Sequence, residues 1–408
     1  MKRRFALFFG LLFFGTGTFS QSGQNTYRAL IHRPDGHTIP FNIDVKQNGS
    51  QTEWTIINGK ERIPLRNFRI AADSLFVDFP VFESQIHLSL KNKEKLEGYW
   101  FKGSGTGYNL QSISVFPDQG YRFKGSSSHP SRNISGRWAV QFIKEDQTSR
   151  PAVAEFSQNG DKLTGTFLNR SGDYRYLDGI VSGDSLYLST FDGSHAFYFS
   201  ASIESNDQIS GGLFCSGTSR KESWSATRDP KAKLPPDPNV LAVRNQDEPL
   251  VFSLPDLNGK LISIRDSQFL NKPVIIQLMG SWCSNCMDET AFLSELYKKY
   301  QSKGLVMLAL AYEYSTDVER SRKSLEKFKE RFHMNYPILI TGVTASDPKL
   351  TEKTLPQLKK IESFPTTIIL DRTGKVFKIH TGFNGPATGS HYEEEKKYFQ
   401  DAIEELLN

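Results

Sequence analysis

The sequence predicts a multidomain chain in which a duplicated all-β region, built as small antiparallel barrels or sandwiches, is followed by an α/β layer fold. Three observations predict it. Residues from about 27 to 227 are short, aromatic, alternating runs broken by Gly, Asn, Asp and Ser, as in RYLDGIVSGDSLYLSTFDGSHAFYFSASI, the pattern of antiparallel strands joined by tight turns. Sliding residues 27–77 by 111 positions onto 138–188 needs no gap and matches Asp35 with Asp146, Pro40 with Pro151, Thr55 with Thr166 and Asn58 with Asn169. The same shift matches Gln47-Asn48-Gly49 with Gln158-Asn159-Gly160, and Asp73-Ser74-Leu75 with Asp184-Ser185-Leu186. Beyond the stretch RDPKAKLPPDPNVLAV, apolar strands such as VIIQLM and LVMLALAY alternate with amphipathic helices such as VERSRKSLEKFKERFH, which is the alternation of an α/β fold.

Residues 1–20, MKRRFALFFGLLFFGTGTFS, have the zones of an export signal: basic Lys2, Arg3 and Arg4, an apolar run from Phe5 to Phe14, and the small residues Thr18 and Ser20. The apolar run is shorter than the roughly 20 residues of a membrane span. The expectation is a cleaved leader and an exported protein, periplasmic or associated with a bacterial cell envelope; an uncleaved amino-terminal membrane tether is the alternative. No cysteine follows the signal to carry a lipid. The formal charge is +5, of which Lys2, Arg3 and Arg4 supply three, leaving +2. That balance gives no support for nucleic-acid binding.

The repeat assigns one β-module to residues 26–116 and its copy to residues 137–228. Each copy closes its own barrel or sandwich, or the two share a larger barrel. The Ser- and Gly-rich stretch YRFKGSSSHPSRNIS between them reads as a linker and favours two units. The shared Gln-Asn-Gly reads as a hairpin turn rather than a binding element. Residues 229–247 contain four prolines in a ten-residue stretch and read as a stiff connector, across which few contacts are expected. The α/β domain is assigned to residues 248–408.

Two of the chain's three cysteines, Cys283 and Cys286, lie between the strand Val274 to Met279 and the helix bearing Phe292, Leu293 and Leu296. A helix amino terminus stabilises a thiolate through free amide hydrogens and the macrodipole. Residues at i and i+3 of a helix approach closely enough for a disulfide. Cys283, at the mouth of the turn, is the expected attacking thiol and Cys286 the resolving one. A zinc site would need two further ligands, and no second Cys-x-x-Cys exists. Covalent haem attachment would require histidine where Met287 stands. A purely structural disulfide is the remaining bland reading. The third cysteine, Cys215, has Gly103 as its repeat partner and is expected to be a small buried hydrophobe. No cofactor and no metal site are expected.

Residues 250–408 resemble the thioredoxin-fold domain of the TlpA/ResA-like thiol-disulfide oxidoreductases. The resemblance is carried by Trp282-Cys283-Ser284-Asn285-Cys286 and the preceding strand, by Phe364-Pro365-Thr366, and by the segment from Ile368 to Lys375. It implies an α/β thioredoxin-like fold with a redox-active Cys283–Cys286 disulfide, Trp282 beside it, and a cis Pro365 packed against the sulfurs. Cytoplasmic thioredoxins carry a buried aspartate six residues before the first cysteine, where this chain has Gln277. TlpA/ResA-like enzymes instead carry a glutamate three residues after the second cysteine, and Glu289 occupies that position, which implies proton handling. Without the resemblance, Glu289 reads as a solvated first-turn acid. The chain departs from the family's commoner form in Ser284-Asn285, where a proline is usual, and in Ala291. These changes leave its redox poise open. Peroxiredoxins resemble one another in a Pro and Thr shortly before the reactive cysteine, and here Met279, Gly280 and Ser281 stand there.

The expected function is therefore an exported thiol-disulfide oxidoreductase, a reductase of disulfides in envelope or secreted proteins, recharged by a membrane or periplasmic electron donor. The alternatives are a ligand-binding β-module protein with an accessory thioredoxin-like domain, and a peroxiredoxin-like peroxidase.

Overall fold

The computed structural model describes residues 25–48, 51–117, 119–125, 129–236 and 241–407. The leader expected over residues 1–20, and Gly49 and Ser50 of the first Gln-Asn-Gly turn, lie outside the described residues. No helix among the described residues is long and apolar enough to cross a membrane.

The internal repeat becomes a repeat of strands. The first copy runs through nine strands from Asn25–His32 to Gly107–Phe116, and the second through nine from Gly136–Lys144 to Lys221–Arg228. The 111-residue shift carries Thr38–Asn48 onto Ser149–Asn159, and Gln51–Asn58 onto Lys162–Asn169. Hairpins connect most neighbours, the first and last strands of each copy pair with one another, and alternate residues face the interior of each module. The second copy closes into a barrel because Lys162–Asn169 pairs with Ser149–Asn159 on one side and with Leu177–Ser182 on the other. Phe142, Phe167, Phe199, Phe214, Trp138 and Trp224 fill its interior.

The first copy stays open for a local reason. Its strand Glu61–Leu65 folds back along Gln51–Asn58 from Asn58 to Trp54 and occupies that edge. The counterpart in the second copy is only Gly172–Asp173, which covers Leu168 and Asn169 and leaves Lys162 to Gly165 free to close the barrel.

The modules are fused more tightly than a linker implies. Phe191 of the second module packs into the core of the first, with its ring 4.3 Å from that of Phe41. Trp100 Nε1 donates to the Gly193 carbonyl at 2.8 Å. Arg122, placed by the sequence in a linker, is buried and donates to the Ser189 carbonyl, to Ser189 Oγ and to the Ile57 carbonyl. A buried guanidinium needs several acceptors, and backbone from both modules supplies them.

The carboxy-terminal domain is a five-stranded sheet in the order Ile338–Ile340, Val306–Ala311, Val274–Met279, Thr366–Leu370, Val376–Thr381. Every residue of the central strand Val274–Met279 is buried, as expected for a strand covered on both faces. Helices Ser284–Tyr300 and Ser390–Leu407 pack on one face, where Leu293, Leu296 and Phe399 meet Ile275 and Met307. The connector ends earlier than the sequence indicates. Leu241 and Val243 are buried in this domain's second core, and Val243 bridges to Leu358. Their apolar side chains gain more from that core than from solvent.

The expectation that few contacts cross between the β-region and the α/β domain is overturned. Gly172 forms a β-bridge with Phe383, and Asn285 Nδ2 donates to the Ser171 carbonyl at 3.0 Å. Gly385 N donates to Asp173 Oδ2 at 2.7 Å, and Arg320 grips Glu83 through two hydrogen bonds of 2.7 and 2.8 Å. At the seam a Cβ on Gly172 would lie 2.2 Å from the Phe383 carbonyl oxygen, and one on Gly382 would lie 2.4 Å from that of Arg170. Both glycines also have positive φ, +131° and +82°. The approach of the two backbones is therefore written into residue choice.

Candidate redox site

The strand Val274–Met279 delivers the chain to Trp282 and Cys283, and the helix Ser284–Tyr300 begins at the next residue. Cys283 is the N-cap: its backbone is extended, and its Sγ accepts from Cys286 N at 3.1 Å. The two sulfurs are bonded, with their Cα atoms 5.2 Å apart. Cys283 is 6% exposed and Cys286 fully buried, so what little surface the pair presents belongs to Cys283. In the reduced state, the N-cap position directs amide hydrogens at the Cys283 sulfur and favours its thiolate.

Trp282 is held by Nε1 donating to the Tyr312 carbonyl at 2.8 Å, and by stacking on Tyr314 with ring centroids 4.8 Å apart. Phe364 meets its edge at 5.9 Å. The Phe364–Pro365 peptide bond is cis. Pro365 is buried at the start of Thr366–Leu370, and Thr366 pairs with Leu278 on the strand that leads to the cysteines.

Glu289 is not a solvated acid. It is fully buried one turn beyond Cys286, accepting from Gln277 Nε2 at 2.7 Å and from Thr367 Oγ1 at 2.8 Å. Gln277 is itself oriented by Thr290 Oγ1, which donates to its amide oxygen at 3.0 Å. Burial pushes the Glu289 carboxyl up to about 7, against the opposing pull of its two hydrogen bonds.

Sequence reasoning missed three features of the site. Glu313, just past the end of strand Val306–Ala311, accepts from both Ser281 N and Ser281 Oγ at 2.7 Å and so braces the turn before Trp282. Burial raises its carboxyl to about 7. An acid directly after an apolar strand was the only available signal. Arg175 of the second β-module pairs with Asp288 at 2.5 Å and with Glu61 of the first, and donates to the Ser284 carbonyl at 3.3 Å. Burial works against the Arg175 charge, but Asp288 and Glu61 outweigh it and hold the guanidinium well above its usual range. The third feature is a cleft of about 690 Å³ between Cys283 and one end of the second barrel.

A pH prediction follows from Glu289 and Glu313. Both have folded-state values near 7 against about 4.5 for an unperturbed glutamate, so the folded protein holds protons that the unfolded chain releases. Their contribution is complete below about pH 4.5 and is lost as pH rises through about 7. Stability to urea should fall between pH 5 and pH 8, and Glu289→Gln should flatten that fall. A midpoint rising over this range would contradict the protonation assigned to both acids.

Comparison with known proteins fits this geometry. A family model described as Redoxin matches residues 244–396. The thiol-disulfide oxidoreductase ResA of Geobacillus thermodenitrificans is 34% identical over 131 residues, covering 32% of this chain and 66% of ResA. The thioredoxin-like protein YneN of Bacillus subtilis is 31% identical over 133 residues, covering 32% of this chain and 68% of its own length. The carboxy-terminal region carries a Redoxin domain homologous to the ResA/TlpA-like thiol-disulfide oxidoreductases. This chain thus spans about two thirds of the length of the first of these ResA-like relatives. A solved structure described as a putative thiol:disulfide interchange protein DsbE from Chlorobium tepidum aligns over 41% of this chain and all of its own, with 20% identity and a TM-score of 0.32. Within this family assignment Cys283 and Cys286 form the Cys-x-x-Cys disulfide, and Cys215 is a buried free thiol in the second β-module, as its alternating strand indicated.

Proposed function

We propose that the protein is an exported thiol-disulfide reductase acting on disulfides of envelope or secreted proteins, with Cys283 attacking and Cys286 resolving. The observation that carries this reading is the asymmetry of the pair: an N-cap sulfur at the edge of a cleft, and a partner one turn inside the core. With the pair reduced, the Cys283 thiolate attacks a substrate disulfide and releases one substrate thiolate, which takes up a proton. Cys286 then attacks Cys283 Sγ, releases the second thiolate and re-forms the Cys283–Cys286 bond. Glu289, buried on the helix turn after Cys286, exchanges a proton with the resolving thiol in this reading, which its burial and raised carboxyl support. A dithiol donor on the exported side of the membrane would restore the reduced state.

Export rests on the basic, apolar and small-residue zones of residues 1–20. The aromatic packing inside the second barrel argues against a ligand-binding cavity there. The reduction potential of the Cys283–Cys286 couple is the direct test. A reductase is expected to lie near the thioredoxin value of about −270 mV, and a value near the DsbA end at about −120 mV would make the protein an oxidant instead.

A further inference from the structure

We propose that the second β-module forms one wall of the redox site and selects a slim, carboxylate-bearing disulfide, such as an extended acidic segment of polypeptide. This rests on the reading above that Cys283 performs the exchange, and it narrows the substrate class.

The wall is a built feature. The β-bridge between Gly172 and Phe383, the hydrogen bond from Asn285 to Ser171 and the bond from Gly385 to Asp173 fix one end of the barrel beside the cysteines. The two glycines with no room for a Cβ require that close approach. Cys283 is consequently only 6% exposed and opens into the cleft rather than onto a flat face. A volume of about 690 Å³ lies within the range of small-ligand sites. It suits a short extended segment better than the broad face of a folded domain.

The chemistry of the wall favours acids. Arg150 and Arg220 line the cleft and share a single carboxylate, Glu222, whose side chain is only 1% exposed. The Arg220 side chain is 44% exposed, so part of its donor fork faces the cleft. The acids nearby are already matched: Glu362 pairs with Lys360 at 2.5 Å, and Asp173 accepts from the backbone of Gly385 and Arg175. Two guanidinium groups on one carboxylate leave a positive charge for a substrate carboxylate to meet. Trp282 and Phe364 supply an apolar lip on the opposite side.

The exchange itself is balanced within the pair. Two electrons pass from the Cys283–Cys286 dithiol to the segment's disulfide, one S–S bond breaks in the segment and one forms in the protein. Each departing sulfur gains one proton.

The test is single-turnover reduction by the pre-reduced full chain. Its substrates are peptide disulfides of equal length with acidic or basic flanks, glutathione disulfide, and a folded protein whose disulfide lies at its surface. The acidic peptide should react about tenfold faster than the basic one, with the ratio shrinking at high salt, and the folded protein should be slowest. Arg220→Glu should reverse the acidic-to-basic preference. Glutathione disulfide reacting as fast as the acidic peptide would support the carboxylate selection and assign it to a small-molecule source. Equal rates for both peptides, or a folded protein reduced as fast as the acidic peptide, would overturn this inference and leave exchange at Cys283 standing. Failure to reduce any of the four would overturn both.

Discussion

Cys283→Ser is expected to lower disulfide exchange by on the order of 10³-fold or more, whereas Cys286→Ser should stall as a covalent adduct with its substrate. The difference follows from where each sulfur lies. Cys283 caps the helix and borders the cleft, so it alone is reached from outside. Cys286 has no exposed surface, so its one available partner is the Cys283 sulfur. Without Cys286 the mixed disulfide has no intramolecular exit and accumulates, and mass spectrometry of the protein after incubation with an oxidised peptide would detect it. Adducts forming through Cys286 in the Cys283→Ser protein would reverse the roles. Normal turnover in either variant would remove the pair from catalysis.

The parts of this architecture that were legible in the sequence are those written locally. Period-two alternation and turn residues mark the strands, and the 111-residue shift aligns Thr38–Asn48 with Ser149–Asn159 from the sequence alone. The Cys-x-x-Cys pair announced a strand-to-helix junction because its neighbours change period there. What stayed illegible was non-local. The strand Glu61–Leu65 decides whether the first module closes, yet its sequence ERIPL carries no sign of which edge it will cover. Arg122 sits in a Ser- and Gly-rich stretch that looks solvated, and its acceptors come from residues 65 and 67 positions away. Leu241 and Val243 follow a run of prolines, so composition assigned them to a connector, but a hydrophobic core claimed them.

Glu289 shows the limit most sharply. Its position on the face of Cys286 was readable from helical spacing, and its burial was not. Burial depends on Gln277 and Thr367, which stand 12 and 78 residues away and reach it from two neighbouring strands. The same is true of the cleft, since none of its barrel residues is near the cysteines in sequence. The redox chemistry of this chain is thus written in one short motif, while the surface that chooses what reaches it is assembled by the fold.

Arg175→Met is expected to destabilise the full chain by about 3 to 5 kcal/mol, the usual cost of removing one partner from a buried ion pair. The loss should be large because a single guanidinium serves three parts of the molecule. It pairs with Glu61 in the first module and Asp288 in the redox helix, and donates to the Ser284 carbonyl beside Cys283. The side chains of Arg175, Glu61 and Asp288 are only 13%, 9% and 13% exposed, so water cannot replace the missing cation. Neutralising both acids in the Met background, with Glu61→Gln and Asp288→Asn, should recover much of the loss, because the cost lies in stranded charge, chiefly at Glu61 since burial already raises the Asp288 carboxyl to about 7, rather than in a missing attraction. Urea unfolding of the single and triple variants measures both quantities. A cost below about 1 kcal/mol, the level of an exposed pair, would mean that the three segments part readily in solution. The reduced Arg175→Met protein should also be alkylated faster at Cys283, since the same side chain holds the barrel wall against the first turn of the redox helix. If stability falls while the alkylation rate stays at the wild-type value, the ion pair supports the fold without closing the site, and the cleft must be held by the Gly172–Phe383 bridge and the Asn285 and Gly385 hydrogen bonds.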